Sequence, residues 1–175
     1  MLFEMKFQVE HLNRALAAAR NSLAHPQELL GSVGDALLRV NIDRHNAGLA
    51  PDGSKWKELS PMTLIEKRKG GPLNKTGRML ESFKILGQKT TGDTLVLGFD
   101  GTTESLRAGL HHSGTQPYTI SPRKSKALKF GGLYRKRVNH PGLPARRLVG
   151  LPVSDRQLIA DVTHDYLTVI LNRVR

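Results

Sequence analysis

The residues able to do chemistry crowd into one stretch of this chain. Between Ser105 and Ser154 lie ten Lys or Arg and three histidines, His111, His112 and His140, without a single Asp or Glu. Histidine offers a metal ligand or a proton relay near neutral pH. Adjacent histidines on a helix diverge by about 100°, so His111 and His112 do not converge on one metal, even with His140 nearby in sequence. A hydrolytic metal site would also want a carboxylate, and this stretch has none. No phosphate-cradling Gly-x-x-x-x-Gly-Lys-Ser/Thr loop, dinucleotide glycine fingerprint or nucleophile elbow occurs elsewhere. With no cysteine at all, disulfides, thiolate metal sites and thiol catalysis drop out as well. The expectation is a protein without catalysis, metal or cofactor.

What remains is charge. The ten cations carry most of the net +12, because the other 125 of the 175 residues balance 17 basic against 15 acidic side chains. A field this local implies a surface facing something negative, either nucleic acid or an acidic protein. Arg107 opens the set. Arg123, Lys124, Lys126, Lys129, Arg135, Lys136 and Arg137 fall on a basic β-hairpin around 118–140. His140, Pro144, Arg146 and Arg147 follow on a loop, where Pro141 and Pro144 restrict the backbone on either side of Gly142 and present the two arginines. These residues, Arg107 apart, are the candidate partner-binding set.

The elements that must position them read as α+β. Phe3, Met5, Phe7 and Val9 alternate with polar residues, as a strand or the lead-in to a helix. Glu4 and Glu10 in this stretch do not suit a cleaved leader, and no run approaches the roughly 20 apolar residues of a membrane helix, so a soluble, non-membrane protein is expected. Leu12, Leu16, Ala19 and Leu23 lie on one face of a first helix. Pro26 opens a second, with Leu29, Leu30, Val33, Leu37 and Val40, stopping at Gly48. The turn Pro51-Asp52-Gly53 precedes Trp56, expected to be a core anchor. Ser60-Pro61 starts a short helix ended by Gly70-Gly71-Pro72. Phe83 to Gln88 and Thr94 to Phe99 form a hairpin around Thr91-Gly92-Asp93. Leu106 and Leu110 suggest one or two helical turns ending at Gly114. Tyr118 to Ile120, Ala127 to Phe130 and Leu133 to Val138 are strands, the last two joined by Gly131-Gly132. Ser154 and Gln157, spaced as a capping box, open a closing helix of about 18 residues. Gly53, Gly77, Gly114 and Gly142 are expected to serve backbone geometry, and one domain spanning 1–175 accounts for the whole.

In this order, Pro51-Asp52-Gly53 with Trp56 and Leu59, Lys75-Thr76-Gly77-Arg78-Met79-Leu80 with Ser82, Val96-Leu97-Gly98, Ala108 with His111-His112-Ser113-Gly114, and His140-Pro141-Gly142 with Pro144-Ala145-Arg146 and Gly150 resemble the phage virion morphogenesis, or tail completion, family. Arg107 and Leu148 depart from its pattern, at positions where members often carry aromatic residues. The resemblance implies a structural protein of the head-tail junction, built on a small β-barrel or sandwich-like sheet flanked by N-terminal helices and a C-terminal helix. It further implies a homo-oligomeric ring, often of six copies, meeting other neck and tail tube proteins in the virion after assembly in the bacterial cytoplasm. Six copies would carry six times the +12 of one chain, against about 24 phosphate charges in the DNA crossing a ring about 40 Å tall. Much of the basic surface is then expected to meet protein, with non-specific DNA contact in the channel as a lesser part. The second reading is a sequence-independent nucleic-acid-binding protein, for which the aromatics of the segment, Tyr118, Phe130 and Tyr134, are few and a basic recognition helix is missing.

Overall fold

A computed structural model describes residues 9–66, 72–73, 75–130 and 132–173. The expected strand over Phe3 to Val9, its last residue apart, and the Gly70-Gly71 stop lie outside the described residues. The elements run α1 (Glu10–Ala24), α2 (Gln27–Ala47), α3 (Pro61–Glu66), α4 (Arg78–Glu81), β1 (Phe83–Ile85), β2 (Leu97–Phe99), α5 (Thr102–Ser113), β3 (Tyr118–Ile120), β4 (Leu128–Phe130), β5 (Leu133–Arg135), β6 (Val138–His140) and α6 (Val153–Arg173), with one 3-10 turn at Gly87–Lys89. This is an α+β chain. Among the described residues the strands form three separate two-stranded sheets, β1 with β2, β3 with β6 and β4 with β5. Among the described residues the expected barrel is therefore not formed: strands of three residues paired only two by two cannot carry the continuous staggered ladder that closure requires.

The residues form two compact units. One comprises the chain up to Arg39, Ile85 to Leu97 and Val153 onward; the other comprises Val40 to Lys84 and Gly98 to Pro152. In the first, the α2 stripe reads as the sequence suggested. Leu29, Val33 and Leu37 are buried against Leu95 and Leu97 and against Leu158, Ile159, Val162 and Tyr166 of α6. Each fully buried leucine or valine here contributes about 1.5 to 3 kcal/mol. A Cβ on Gly34 would sit 2.7 Å from Ile85 Cδ1 and 3.2 Å from Leu95 Cδ1, so these side-chain ends would have to shift to admit it.

Two readings of this unit are overturned. The leucine face of α1 points outward: α1 packs on α6, but its buried residue is Ala15, while Leu12 and Leu16 are each 55% exposed and Leu23 is 49% exposed. A small residue lets the helices approach closely, and leucines one turn round are left in water. The capping box at Ser154 also fails to form. The helix begins a residue earlier, at Val153, and the Gln157 amide turns forward to donate to Asp161 Oδ1 at 2.8 Å.

The second unit buries Ala50, Trp56, Met79, Ala108 and Leu148, with Leu73 and Phe99 packed against them. Ser60 caps α3 as expected, its Oγ accepting from Thr63 N–H at 3.3 Å. The helix α5 is a full 12 residues, longer than its apolar pattern implied, because its inward residue is Ala108 while Leu106 and Leu110 are exposed. The expected strand Leu133 to Val138 is two strands broken at Lys136 and Arg137, since β5 and β6 pair with different partners.

After α5 the chain runs beside the segment that follows β6. Thr115 N–H donates to Leu143 O at 2.9 Å, and Leu143 N–H donates to Thr115 Oγ1 at 2.8 Å. At this crossing Gly114 and Gly142 have φ of 73° and 88°. A Cβ on Gly142 would overlap Thr115 O and come within 2.9 Å of Gln116 C. Gly48, at φ 68°, has nothing within 4 Å of such a Cβ. Gly48→Ala should thus cost only the left-handed backbone penalty, about 1 to 2 kcal/mol. Gly142→Ala should cost about 1 to 3 kcal/mol beyond that, from overpacking against main chain. Denaturant titration of both variants measures the difference.

Candidate functional site

The basic segment is built from two nested ladders, the lower at its ends and the upper between them in sequence. In the lower one, antiparallel β3 and β6 pair Tyr118 with His140, Thr119 with Asn139 and Ile120 with Val138. The Tyr118 and His140 rings stack at 4.9 Å, and Thr119 Oγ1 donates to Asn139 Oδ1 at 3.1 Å. In the upper ladder β4 and β5 pair Leu128 with Arg135, Lys129 with Tyr134 and Phe130 with Leu133. Cross-strand partners share a face, so Lys129 and Tyr134 stand side by side, and Tyr134 is 72% exposed.

All seven cations of this ribbon, Arg123, Lys124, Lys126, Lys129, Arg135, Lys136 and Arg137, are exposed. None has an ion-pair partner among the described residues. The other three cations of the stretch are placed differently. Arg107 donates to Glu104 Oε1 at 2.9 Å. Arg147 is exposed, and its carbonyl accepts from Trp56 Nε1 at 2.9 Å.

Arg146 does not project outward as the stiff loop suggested. It is 4% exposed. Its Nε donates to Lys57 O at 2.9 Å and its NH2 to Glu58 O at 3.1 Å, while its main-chain N–H donates to His111 O at 2.7 Å. The prolines do fix the loop, but the guanidinium is aimed at two carbonyls of the unit's own chain. Burial draws its pKa below the usual guanidinium value, yet the group remains charged at any physiological pH. Arg146 braces the fold.

The remaining sites are structural. Trp56 is buried, as expected, and meets His45 edge-on at 5.1 Å. Gly53, with φ 81°, lets the turn close through Gly53 N–H to Ala50 O at 2.9 Å. Asp52 accepts from Ser54 N and Oγ, and these bonds hold its pKa below the ordinary carboxylate value. Gly77, at φ 75°, precedes α4. Pro144 is half-buried.

Two of the three histidines of the stretch accept main-chain hydrogen bonds. His140 Nδ1 accepts from Gly142 N–H at 3.0 Å, and His112 Nδ1 accepts from Leu148 N–H at 3.2 Å. His111 Nδ1 is buried without a partner, and burial, then the nearby Arg146 charge, lowers its pKa. Among the described residues no three His, Asp or Glu side chains group to hold a metal ion, and no helix is long and apolar enough to cross a membrane.

Sequence reasoning missed the inward turn of Arg146 and the outward turn of the α1 leucines. The signal for Arg146 lay in its neighbours: Leu148, two residues on, shares its inward side in an extended segment, whereas Arg147 lies opposite.

Residues 7–168 of the chain match the model of the phage virion morphogenesis family. No curated protein and no solved structure matches it.

Two outcomes follow from the geometry. Arg146→Ala should lower stability by about 2 to 4 kcal/mol, because two carbonyls lose charge-assisted bonds. Arg146→Lys should recover less than half of this, and Arg147→Ala should stay within about 0.5 kcal/mol of the parent in the same melting series. The second outcome concerns pH. Burial lowers the pKa of His45 and His111 from 6.5, so below that pH the unfolded chain binds more protons than the folded one and stability falls. Melting midpoints should be level above pH 7 and decline toward pH 5. The decline should flatten when both histidines are replaced by Gln.

Proposed function

Because this chain belongs to the phage virion morphogenesis family, we propose that it is a structural protein of the head-tail junction, which completes the tail and enables stable joining to the head. It acts by assembly and performs no reaction. Copies of the chain form a ring, six being the number the resemblance implies, in contact with neck and tail tube proteins and around the path of the DNA. It is made in the bacterial host cytoplasm and ends in the virion.

The observation that carries an assembly role is the α1 stripe. Leu12, Leu16 and Leu23 are about half in water, and with Ala19 they follow the 4-3-4 spacing of a helical seam. A chain that worked alone would leave this stripe as an aggregation liability, whereas subunit contact covers it.

The test is a double variant, Leu12→Lys with Leu16→Lys. Both side chains are exposed, so the isolated chain should melt within about 0.5 kcal/mol of the parent. Light scattering after size exclusion should show oligomers for the parent and monomers for the variant, and complementation should yield tails that fail to join heads. Normal particle yield from the variant, or a parent that stays monomeric alone and in tail preparations, would overturn the reading.

A further inference from the structure

The ribbon from Tyr118 to His140 has a ligand chemistry of its own. From its geometry we infer that this ribbon is an arm that grips the phosphate backbone of duplex DNA without reading sequence. The inference goes beyond an assembly role and holds wherever in the particle the chain sits.

Charge counting over a whole ring leaves much of the basic surface to protein, but three observations on the ribbon itself favour DNA over an acidic protein as its occupant. The seven exposed cations are of one sign, with no acid between Ser105 and Ser154 to pattern them. A protein neighbour presents mixed charge and rewards mixed charge in return, whereas a duplex presents about one negative charge per 1.7 Å of axis, and a uniform cation set complements it. Four of the seven are lysines, Lys124, Lys126, Lys129 and Lys136. Lysine is depleted at protein interfaces and serves phosphate contacts well, as a hydrated point charge on a flexible stem. The third observation is form. A two-stranded ribbon is narrow enough for the major groove, about 12 Å wide, so its two edges can reach the phosphates on either side.

Sequence indifference follows from the side chains on offer. No Asn, Gln, Asp or Glu lies between Ile120 and Val138 to read adenine or cytosine, Asn139 accepts from Thr119 at the base of the ribbon, and guanine contacts by the cations are the main base reading left, which the comparison of two duplexes below tests. Tyr134, exposed beside Lys129, adds a flat face that tolerates any step. Salt, and not base identity, then controls the affinity.

The experiment uses the full chain and two unrelated duplexes about 24 base pairs long, followed by fluorescence anisotropy from 50 to 200 mM salt. The parent should bind both within about twofold of each other and lose roughly 10³-fold or more across that range. Lys126, Lys129 and Lys136 together changed to Ala should shallow the log-log salt slope by about 3. Arg14, Arg20 and Arg156 together changed to Ala remove the same charge from exposed helix positions and should leave the slope within about 1 of the parent. Melting curves of both triple variants confirm that the fold is retained. The inference is overturned if the parent does not bind at 50 mM salt, or if the two triple variants lose affinity equally. It is also overturned if one duplex is strongly preferred, or if a polyglutamate peptide binds as tightly as DNA, the last result making an acidic protein surface the occupant.

Discussion

The guanidinium of Arg146, held between the carbonyls of Lys57 and Glu58, is the constraint around which the second unit is organised. Taking a cation out of water is expensive, and only bonds of good geometry offset it. That demand fixes the neighbourhood. The extended chain must pass at one depth and one rotation, which brings the Arg147 carbonyl to the Trp56 indole and the Leu148 N–H to His112. Trp56, Lys57 and Glu58 are thus tied to a segment some ninety positions on by polar bonds as much as by apolar contact. With a central cluster of five buried apolar residues among the described ones, such cross-links carry a large share of the specificity.

The crossing of Gly114 and Gly142 depends on the same arrangement. Arg146 is bonded through its main chain to His111, at the end of α5, so α5 and the loop after β6 are drawn together within a few residues of the crossing. Any side chain at Gly142 would push against that closure. The orphaned Nδ1 of His111 is buried, and that burial, with the nearby Arg146 charge, lowers the pKa of the ring.

Legibility in the sequence followed the strength of local signals. The long helices α2 and α6 were readable because an apolar stripe at helical spacing coincides with the face that is buried, Leu29, Val33 and Leu37 in the first case. The same logic misled on α1 and α5. There the inward residues are Ala15 and Ala108, and alanine carries little hydrophobic signal, so the exposed leucines dominated the pattern. The glycine sites Gly53, Gly77, Gly114 and Gly142 were legible because each has positive φ, a requirement that composition around a turn announces. The break between β5 and β6 was not, since pairing partners are a matter of topology. Of the candidate partner-binding residues, the ribbon cations were placed on the surface as expected, while Arg146 went inside, where carbonyls distant in sequence decide the matter.

The ribbon joins the rest of its unit through a pair, Tyr118 and His140, that are neighbours across one ladder. Because its two ends meet, the chain between them closes a loop whose removal or replacement leaves the flanking backbone where it is, and loop closure costs little more for a long insert than for a short one. The unit is therefore modular at this seam. A related chain could carry a shorter tongue, a longer one or one of opposite charge between the same two positions, and the Arg146 brace, the glycine crossing and the Trp56 core would be none the wiser. Change in what the arm grips is uncoupled from change in what holds the protein together.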